Sequence, residues 1–328
     1  MKIVLVQNSK LPVTLYGGTE RVVWSLGKAL SQLGHSVVFV CQKVSDCDFA
    51  EIIDITNITD IASVIPKDAD IIHYHSNLEI ADQVNIPYIF TLHGNIKEQA
   101  PMNKNVVFVS KSHAERYGSD SYVYNGLDWN DYTIPDFTVK RQGFHFLGKA
   151  AWRIKNVKGA ITIIKKIKSK LKVLGGYRFN ISMGIRFTFS PRIQFYGMIG
   201  GAAKDKLVNS SKGLLFPVRW HEPFGLAIIE SLYYGCPVFG TPYGSLPELI
   251  TPEYGFLSNS SEELANAMLH VDQYDRMACH EYAKTKFNAL TMAENYLEKY
   301  QLILSGKTLN TENPILKETT EDKFLPWT

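Results

Sequence analysis

The chain has 328 residues, of which 45% are hydrophobic and 20% charged, and its formal net charge is +3. Its length suits two domains of ordinary size, and its composition is that of a soluble globular protein. No uninterrupted apolar run approaches the roughly 20 residues of a membrane-spanning helix, which excludes that class. The four cysteines lack metal-ligand spacing and predict free thiols in a reducing cytoplasm.

Apolar, strand-like runs alternate with helical patterns in the first part of the chain, which predicts a parallel sheet covered by helices. The run at residues 2–7 predicts a first strand rather than a secretory signal, because its apolar part is too short. A helix is predicted at 19–33, and the further strands at 36–41, 70–75, 88–93 and 105–110. We therefore expect an N-terminal Rossmann-like domain at 1–138, ending in a polar linker.

The second part repeats this alternation. Strands are predicted at 144–148, 172–176, 193–196, 213–217 and 237–240, and helices at 157–170, 202–210 and 223–234. The stretch 177–194 is β-rich and has no helical pattern. We expect a second Rossmann-like domain at 139–285, a helix at 286–305 that packs on the first domain, and a loosely held polar tail at 306–328. The predicted fold class is α/β, with two doubly wound domains that face a central cleft, where ligands bind beyond the carboxyl ends of the strands.

Charge is segregated along the chain. Between Asp136 and Asp205 there are 15 lysines and arginines and no acidic residue. Such a block requires an anionic counterpart, which is phosphate, nucleic acid or an anionic lipid surface. Part of the block indicates a solvated helix face or a membrane-surface contact: Lys165, Lys166, Lys168 and Lys170.

Two glutamates flank a predicted helix start. Glu222 lies on the loop before the helix, which we expect Pro223 to open, and Glu230 lies one to two turns inside it. At about 1.5 Å per residue the carboxylates are roughly 10 Å apart along the axis. The helix N-terminus between them favours an anion. This order matches the hydroxyls, diphosphate and further hydroxyls of a nucleotide sugar, although each glutamate alone is more often a cap or a surface residue.

Four cations cluster after the strand at 144–148, namely Lys149, Arg153, Lys155 and Lys158. They could neutralise a diphosphate and stabilise it as a leaving group, or they could be ordinary surface charge. After the first strand, Gly17 and Gly18 either allow a ligand to approach the backbone or form a tight turn.

Three histidines lie in or at the end of predicted strands. His93 closes a buried strand and is either a hydrogen-bonded core residue or a donor to phosphate. His73 and His75 share one face of a strand, but no third ligand is near, so we predict no metal site. The two Asp-x-Asp sequences, at 46–48 and 68–70, are expected to be surface loops without metal.

The chain resembles the retaining glycosyltransferases of the GT-B fold, family 4 (glycosyl transferases group 1). The resemblance covers residues 1 to about 300 and is most specific in the Glu-x7-Glu segment with its Pro-Phe-Gly-Leu core. It is carried by the runs from Tyr16 to Val23, Thr91 to Gly94, Val123 to Asp128, Val157 to Gly159, Phe216 to Leu226, Pro237 to Val238 and Gly244 to Glu248. Two features depart from the family pattern. In the first, Lys149 stands where the family usually has arginine and Lys158-Gly159 comes nine residues later instead of about six, so that Arg153 could take the place of one of these cations. In the second, the stretch 177–194 lacks a helix, which leaves the nucleobase pocket unassigned.

The resemblance implies that the N-terminal domain binds the acceptor and the C-terminal domain binds the nucleotide-sugar donor. It also implies roles for the residues above. Glu222 would bind the donor-sugar hydroxyls and His93 would contact the donor sugar or its phosphate, and these two are the expected catalytic residues. Glu230 would accept hydrogen bonds from the ribose. The donor phosphates would meet Lys149, Arg153, Lys158, Gly18 and the amides of Phe224, Gly225 and Leu226. The loop of Gly17 and Gly18 would also lie against the acceptor.

The resemblance also implies an activity. It is hexosyl transfer with retention from a nucleotide-diphosphate donor, preferably a UDP-sugar, to a saccharide or lipid-linked acceptor, without metal or cofactor and without a nucleic-acid partner. Family habit points to polysaccharide or lipopolysaccharide synthesis in the cytoplasm, with possible peripheral contact with the anionic inner face of the membrane. A retaining hydrolase is disfavoured, because its carboxyls are only about 5–5.5 Å apart. A non-catalytic nucleotide or polyanion binding protein of the same fold remains the alternative.

Overall fold

The computed structural model describes residues 1–13, 17–76, 78–181, 183, 185–317 and 324–328. The chain forms two compact units: unit 1 is Met1–Trp129 with Phe287–Thr319, and unit 2 is Asn130–Lys286 with Thr320–Thr328. The boundary comes before the expected one at 138/139. The reason is that the backbone of Thr133 donates to Asp205 Oδ2 (3.1 Å) and the carbonyl of Asp136 accepts from Asn209 (3.0 Å). These bonds hold the supposed linker to unit 2.

Unit 1 contains a six-stranded parallel sheet in the order β3-β2-β1-β4-β5-β6. Its strands are β1 (Lys2–Leu11), β2 (Ser36–Lys43), β3 (Glu51–Asp54), β4 (Ile71–Tyr74), β5 (Tyr88–Leu92) and β6 (Val106–Phe108). Its first helices are α1 (Gly18–Gln32) and α2 (Lys111–Arg116). Helix α1 buries Val22, Leu26 and Leu30, whose spacing of four residues places them on one stripe.

Unit 2 contains a second six-stranded parallel sheet, in the order β11-β8-β7-β12-β13-β14. Its strands are β7 (Phe144–Leu147), β8 (Leu171–Leu174), β11 (Ile193–Phe195), β12 (Leu214–Phe216), β13 (Val238–Gly240) and β14 (Gly255–Leu257). Strands β9 (Phe179–Asn180) and β10 (Arg186–Phe187) form a separate antiparallel pair. The helices are α3 (Val157–Lys166), α4 (Gly201–Asn209), α5 (Leu226–Tyr233), α6 (Leu246–Leu249), α7 (Ser261–Leu269) and α8 (Arg276–Lys286).

The last helix, α9 (Ala289–Leu304), belongs to unit 1 and packs against α1. Asn288 caps it by accepting from the backbone of Thr291 at 2.8 Å. Short 3₁₀ helices lie at Ala62–Val64, Leu78–Gln83, Trp129–Asp131, Arg153–Lys155 and Val271–Gln273.

The segment after α9 is packed, so the expectation of a loosely held tail at 306–328 is wrong for its described residues. In unit 1, Asn310 donates to the carbonyls of Lys104 (2.8 Å) and Val106 (2.9 Å), and Leu316 is buried. In unit 2, the backbone of Leu325 donates to the carbonyl of Arg219 (2.9 Å). The described residues of the tail are therefore hydrogen-bonded to the backbone of the unit to which they belong, although the composition of the tail is polar.

Both sheets have the strand order 3-2-1-4-5-6 when each is numbered along its own stretch of chain. This is the doubly wound order of dinucleotide-binding folds. The predicted pair of Rossmann-like domains is thus confirmed at the level of each unit. In such a sheet the chain reverses its winding direction between the first and fourth strands, and the crevice beyond their carboxyl ends is the usual ligand site.

Among the described residues, no helix is long and apolar enough to cross a membrane.

Candidate functional site

The segment containing both glutamates follows β12 of unit 2. Strand β12 pairs with β7, and these two strands form the switch point of their sheet. The loop from Pro217 to Gly225 and the start of α5 therefore lie at the crevice where this fold binds ligands. The strand predicted at 213–217 and the helix predicted at 223–234 are both present, as β12 and α5.

The backbone of Glu222 is held by the loop before α6. The backbone of Ser245 donates to the carbonyl of Glu222 (2.9 Å), and the Ser245 hydroxyl donates to the carbonyl of Phe224 (2.6 Å). Gly244 has a φ of +63°, and a Cβ there would lie 2.3 Å from both the N and the O of Glu222. Only glycine fits this approach, so the Gly244-Ser245 pair positions the glutamate.

The carboxylate of Glu222 is buried, and the residue is 6% exposed. Its Oε2 accepts from Lys155 Nζ at 2.6 Å and from the Trp220 indole N–H at 2.7 Å. The lysine ammonium also lies 4.9 Å from the Trp220 ring and 5.2 Å from the Phe216 ring. Because a buried charge requires a partner, Lys155 and Glu222 stabilise each other in this pocket.

Helix α5 begins at Leu226, so the expectation that Pro223 opens it is wrong. The carbonyl of Phe224 is bonded to Ser245, and Gly225 adopts a left-handed φ of 89° as the N-cap, without a side-chain cap. This conformation separates the loop from the helix. Gly225 and Leu226 are partly exposed, whereas Phe224 is buried. The first N–H groups of a helix have no partner within it, so this end of α5 can receive an anion.

Glu230 lies inside α5 and is 2% exposed. Its Oε1 accepts from Lys204 Nζ and from the Tyr132 hydroxyl, the latter at 3.1 Å. Lys204 Nζ also lies 4.8 Å from the centre of the Tyr132 ring and 3.6 Å from Asp205 Oδ1. No motif in the sequence predicts Lys204 as a partner of Glu230. Each of the two glutamates is therefore buried and paired with a lysine.

Lys155 was named in the basic cluster but was not among the predicted phosphate ligands. It follows Lys149 by six residues, which is the spacing that the family pattern gives for its second cation. The sequence predicts Lys158 for this role instead, because Lys158 is followed by a glycine, as in the family pattern. The structure places Lys155 at the end of a 3₁₀ helix, and its side chain is buried against Glu222.

The three predicted phosphate cations lie elsewhere around the carboxyl end of β7. Lys149 Nζ lies 5.2 Å from the Trp152 ring, and the Arg153 guanidinium lies 4.9 Å from the Phe324 ring. Lys158 is exposed in the first turn of α3. None of these three makes the buried contact with Glu222 that Lys155 makes.

A buried histidine lies beneath α5. His145 of β7 donates from Nε2 to the Ser231 hydroxyl at 2.8 Å, because that hydroxyl donates its own proton to the Ala227 carbonyl (2.6 Å). Burial is the main cause that lowers the pKa of His145 to about 3. The ring is therefore neutral at ordinary pH and joins β7 to the helix.

In unit 1, His93 follows β5 and shares a hydrogen bond of 2.9 Å between its Nε2 and His75 Nδ1. Burial lowers the pKa of His93 to about 4 and the pKa of His75 well below its ordinary value. The His75 ring in turn lies 3.9 Å from the His73 ring, which is fixed by Tyr300 (2.8 Å) and Thr91 (2.7 Å). His93 is thus neutral and oriented by two further histidines.

Gly17 is the N-cap of α1, and Gly18 is the first residue of that helix. The carbonyl of Gly17 accepts from Arg21 Nε at 3.1 Å. A Cβ at Gly17 would lie 2.8 Å from Glu20 Oε2, so the close approach here is to the side chain of the helix itself. Tyr16, the first residue of the motif, lies outside the described residues.

In the described ranges, no group of three or more His, Cys, Asp or Glu side chains could hold a metal ion.

Comparisons with solved structures identify the fold. A glycosyltransferase involved in avilamycin A biosynthesis matches over 94% of this chain and 99% of its own, with a TM-score of 0.77 and 20% identity. The Anabaena protein HepE in complex with UDP-glucose matches over 92% of this chain and 99% of its own, with a TM-score of 0.65 and 15% identity. These likenesses show the GT-B fold.

A sequence relative is known from Klebsiella pneumoniae, described as an uncharacterized protein in the cps region. It is 30% identical over 116 residues, which are 33% of this chain and 32% of that protein. The match thus spans about a third of the relative's length. Two family models also match, Glycosyltransferase Family 4 at residues 16–128 and Glycosyl transferases group 1 at residues 141–273. Together they cover most of both units, and the chain belongs to glycosyltransferase family 4.

Proposed function

We propose that this protein transfers a hexose from a nucleotide-diphosphate donor to a saccharide or lipid-linked acceptor, with retention of configuration and without a metal. The observation that carries the proposal is the pair of buried carboxylates, Glu222 and Glu230, on either side of the N-terminus of α5. Each is held by a lysine, Lys155 or Lys204. A ligand that is polar at both ends and anionic in the middle fits this order.

The diphosphate of the donor is proposed to lie at the N-terminus of α5, against the amides of Gly225 and Leu226. Lys155 would then turn from Glu222 to a phosphate oxygen, because a charge-assisted bond to phosphate replaces the one to the carboxylate. The released Glu222 carboxylate would accept hydrogen bonds from the sugar hydroxyls. Glu230, deeper in the helix, would accept from the ribose hydroxyls.

Charge stabilisation of the leaving diphosphate is the main catalytic effect in this proposal. Negative charge develops on the phosphate as the glycosidic bond breaks, and prearranged N–H groups and ammonium groups stabilise it. We assign this role to the helix amides and Lys155, supported by Lys149, Arg153 and Lys158 of the same basic cluster. The leaving phosphate oxygen would take the acceptor proton on the face that it vacates, which retains the anomeric configuration.

For unit 1, we propose that His93 donates a hydrogen bond to an oxygen of the donor sugar or its phosphate. Its low pKa, caused by burial, keeps the ring neutral, so that one nitrogen carries a proton and the other does not. The bond from His75 fixes the orientation of the ring. The loop of Gly17 and Gly18 is proposed to face the acceptor.

UDP-sugars are the preferred donor class in this proposal. HepE, which shares the fold, was crystallised with UDP-glucose. The Klebsiella pneumoniae relative, described as lying in a cps region, is in keeping with an acceptor in polysaccharide synthesis. We place the reaction in a reducing cytoplasm, where the four free cysteines of the chain are stable as thiols.

The test compares Glu222→Gln with the wild type, using UDP-glucose as the first of a panel of UDP-sugars. The substitution keeps the shape of the side chain and removes the acceptor charge. We expect sugar release or transfer to fall by about a hundredfold or more, while calorimetry with UDP shows affinity within about threefold of the wild type. Glu253→Gln, at an exposed glutamate of the same unit, is the matched control and should retain full activity.

Two results would contradict the proposal. Full sugar transfer by Glu222→Gln would show that the Glu222 carboxylate is not needed to bind the donor sugar. Binding of UDP without consumption of any UDP-sugar by the wild type, with every acceptor class tried, would favour a non-catalytic nucleotide-binding protein. Retention is tested separately by the anomeric proton signals of the product.

A further inference from the structure

The antiparallel pair β9 and β10 has an apolar outer face. Asn180 pairs with Arg186 and Phe179 with Phe187 in this hairpin. Apolar side chains occupy every second position from 179 to 189, and each is between 48% and 81% exposed. They are Phe179, Ile181, Met183, Ile185, Phe187 and Phe189. Contiguous exposed apolar patches of this kind mark interaction sites in folded proteins.

The opposite face of the hairpin carries polar side chains and faces the protein. Arg186 is 8% exposed, donates to the carbonyl of Tyr177 (2.9 Å) and lies 4.8 Å from the ring of Phe195 in β11. Arg178 donates to the carbonyls of Thr188 (2.9 Å) and Ile193 (2.8 Å). These bonds fix the register of the hairpin. A slip of one residue would turn the apolar side chains inward, so the two arginines keep them outside.

The surroundings of the hairpin are cationic. No acidic residue occurs between Asp136 and Asp205 in the sequence. Exposed Lys170 precedes β8, and exposed Arg192 precedes β11; the backbone of Leu171 donates to the Arg192 carbonyl at 2.9 Å. Arg192 Nη1 also donates to the carbonyl of Lys168, another exposed lysine, at 2.8 Å. Positive charge thus lies at the same edge of the sheet as the apolar hairpin.

We propose that the hairpin face inserts into the interface of a bilayer containing anionic phospholipid. Aromatic and aliphatic side chains enter the boundary between headgroups and acyl chains, while lysines and arginines beside them attract anionic headgroups. A second copy of the chain is a poorer occupant, because two copies packed through this face would bring Lys168, Lys170 and Arg192 of one copy towards the same cations of the other. The proposal does not depend on the glycosyltransferase activity.

Vesicle sedimentation tests this with the full chain. Vesicles of phosphatidylcholine with phosphatidylglycerol are compared with vesicles of phosphatidylcholine alone. We expect the wild type to bind the anionic vesicles at least about tenfold more strongly, and the binding to weaken at high salt. The double variant Ile185→Ser/Phe189→Ser removes the two most exposed apolar groups of the face and should lower binding by about tenfold.

Phe256→Ser is the matched control, since Phe256 is also an exposed phenylalanine but lies in β14, at the opposite edge of the same sheet. It should bind anionic vesicles like the wild type, and the double variant should melt at the wild-type temperature. Lys170→Glu should weaken vesicle binding without changing the melting temperature.

The proposal is overturned if the wild type binds neither vesicle, or if the double variant and the control bind equally well. It is also overturned if the wild type is a dimer that the double variant dissociates, because the face would then be an interface between copies of the chain.

Discussion

Removal of the ammonium group at Lys155 tests the buried pair most sharply. In Lys155→Met, the new side chain is similar in length and keeps the contacts with the Phe216 and Trp220 rings. The 2.6 Å ion pair with Glu222 is lost, and the two side chains that form it are only 11% and 7% exposed. At an effective dielectric constant of about 20, the attraction at this distance is about 6 kcal/mol, against which the desolvation of both charges must be set.

Breaking a buried pair on one side usually costs about 3–5 kcal/mol, because an uncompensated charge remains. The Trp220 N–H still donates to Glu222 at 2.7 Å, so we expect the lower end, about 3 kcal/mol. For a unit of this size, the loss lowers the melting temperature of unit 2 by roughly 6–12 °C. The double variant Lys155→Met/Glu222→Gln should recover at least half of the loss, since no unpaired charge is left.

The assay is calorimetric melting of the four proteins of this double-mutant cycle, with Lys158→Met as the control. Lys158 is exposed nearby, so its replacement should change stability by no more than about 0.5 kcal/mol. Equal melting temperatures for Lys155→Met and the wild type would refute the reasoning. So would a double variant whose loss is the sum of the two single losses.

Three further predictions follow from the packing. The folded-state pKa of His145 is lowered to about 3, so between about pH 6.5 and pH 3 the unfolded chain binds more protons than the folded one. Stability therefore falls as the pH drops below about 6.5, by roughly 1.4 kcal/mol per pH unit for this group. The melting temperature of His145→Gln should depend less steeply on pH. Gly244→Ala would place a Cβ 2.3 Å from the backbone of Glu222, so we expect a loss of more than about 2 kcal/mol in chemical denaturation, together with the loss of sugar transfer. Asn310→Ala removes bonds to the carbonyls of Lys104 and Val106 and should cost about 2 kcal/mol, whereas a loosely held tail would show no change.

Much of the fold could be predicted because the inner strands of a parallel sheet are continuous apolar runs. Strands β1, β2 and β12 contain such runs, and β4, β5 and β7 are apolar except for a single histidine or threonine each. The edge strands β3 and β14 escaped prediction. Strand β3 begins and ends with an acidic residue, and β14 begins with a glycine and exposes Phe256, so neither carries the signal of a strand buried on both faces.

The details of the site depend on contacts between distant parts of the chain. The start of α5 is displaced from Pro223 to Leu226 because Ser245, some twenty residues later, binds the intervening loop. The partners of the two glutamates, Lys155 and Lys204, are 67 and 26 residues away from them. Local propensity contains no such information. The spacing of six residues after Lys149 is the one signal that pointed to Lys155.

The lysines of the helix predicted at 157–170 indicate either a solvated face or a membrane-surface contact, and an apolar surface beside them would favour the second. The hairpin of β9 and β10 provides such a surface. Alternating apolar residues predict a strand, but the alternation alone does not tell which face is buried. Here the bonds of Arg178 and Arg186 decide that the apolar face is the outer one.

The central claim is that a donor diphosphate binds at the N-terminus of α5, between Glu222 and Glu230. A crystal structure with bound UDP-glucose, or with the UDP-sugar that the activity screen selects, measures this directly. We predict the phosphate oxygens within about 3 Å of the amides of Gly225 and Leu226, the hexose at Glu222, and the ribose at Glu230. A donor bound elsewhere, with Lys155 still paired to Glu222, would contradict the account.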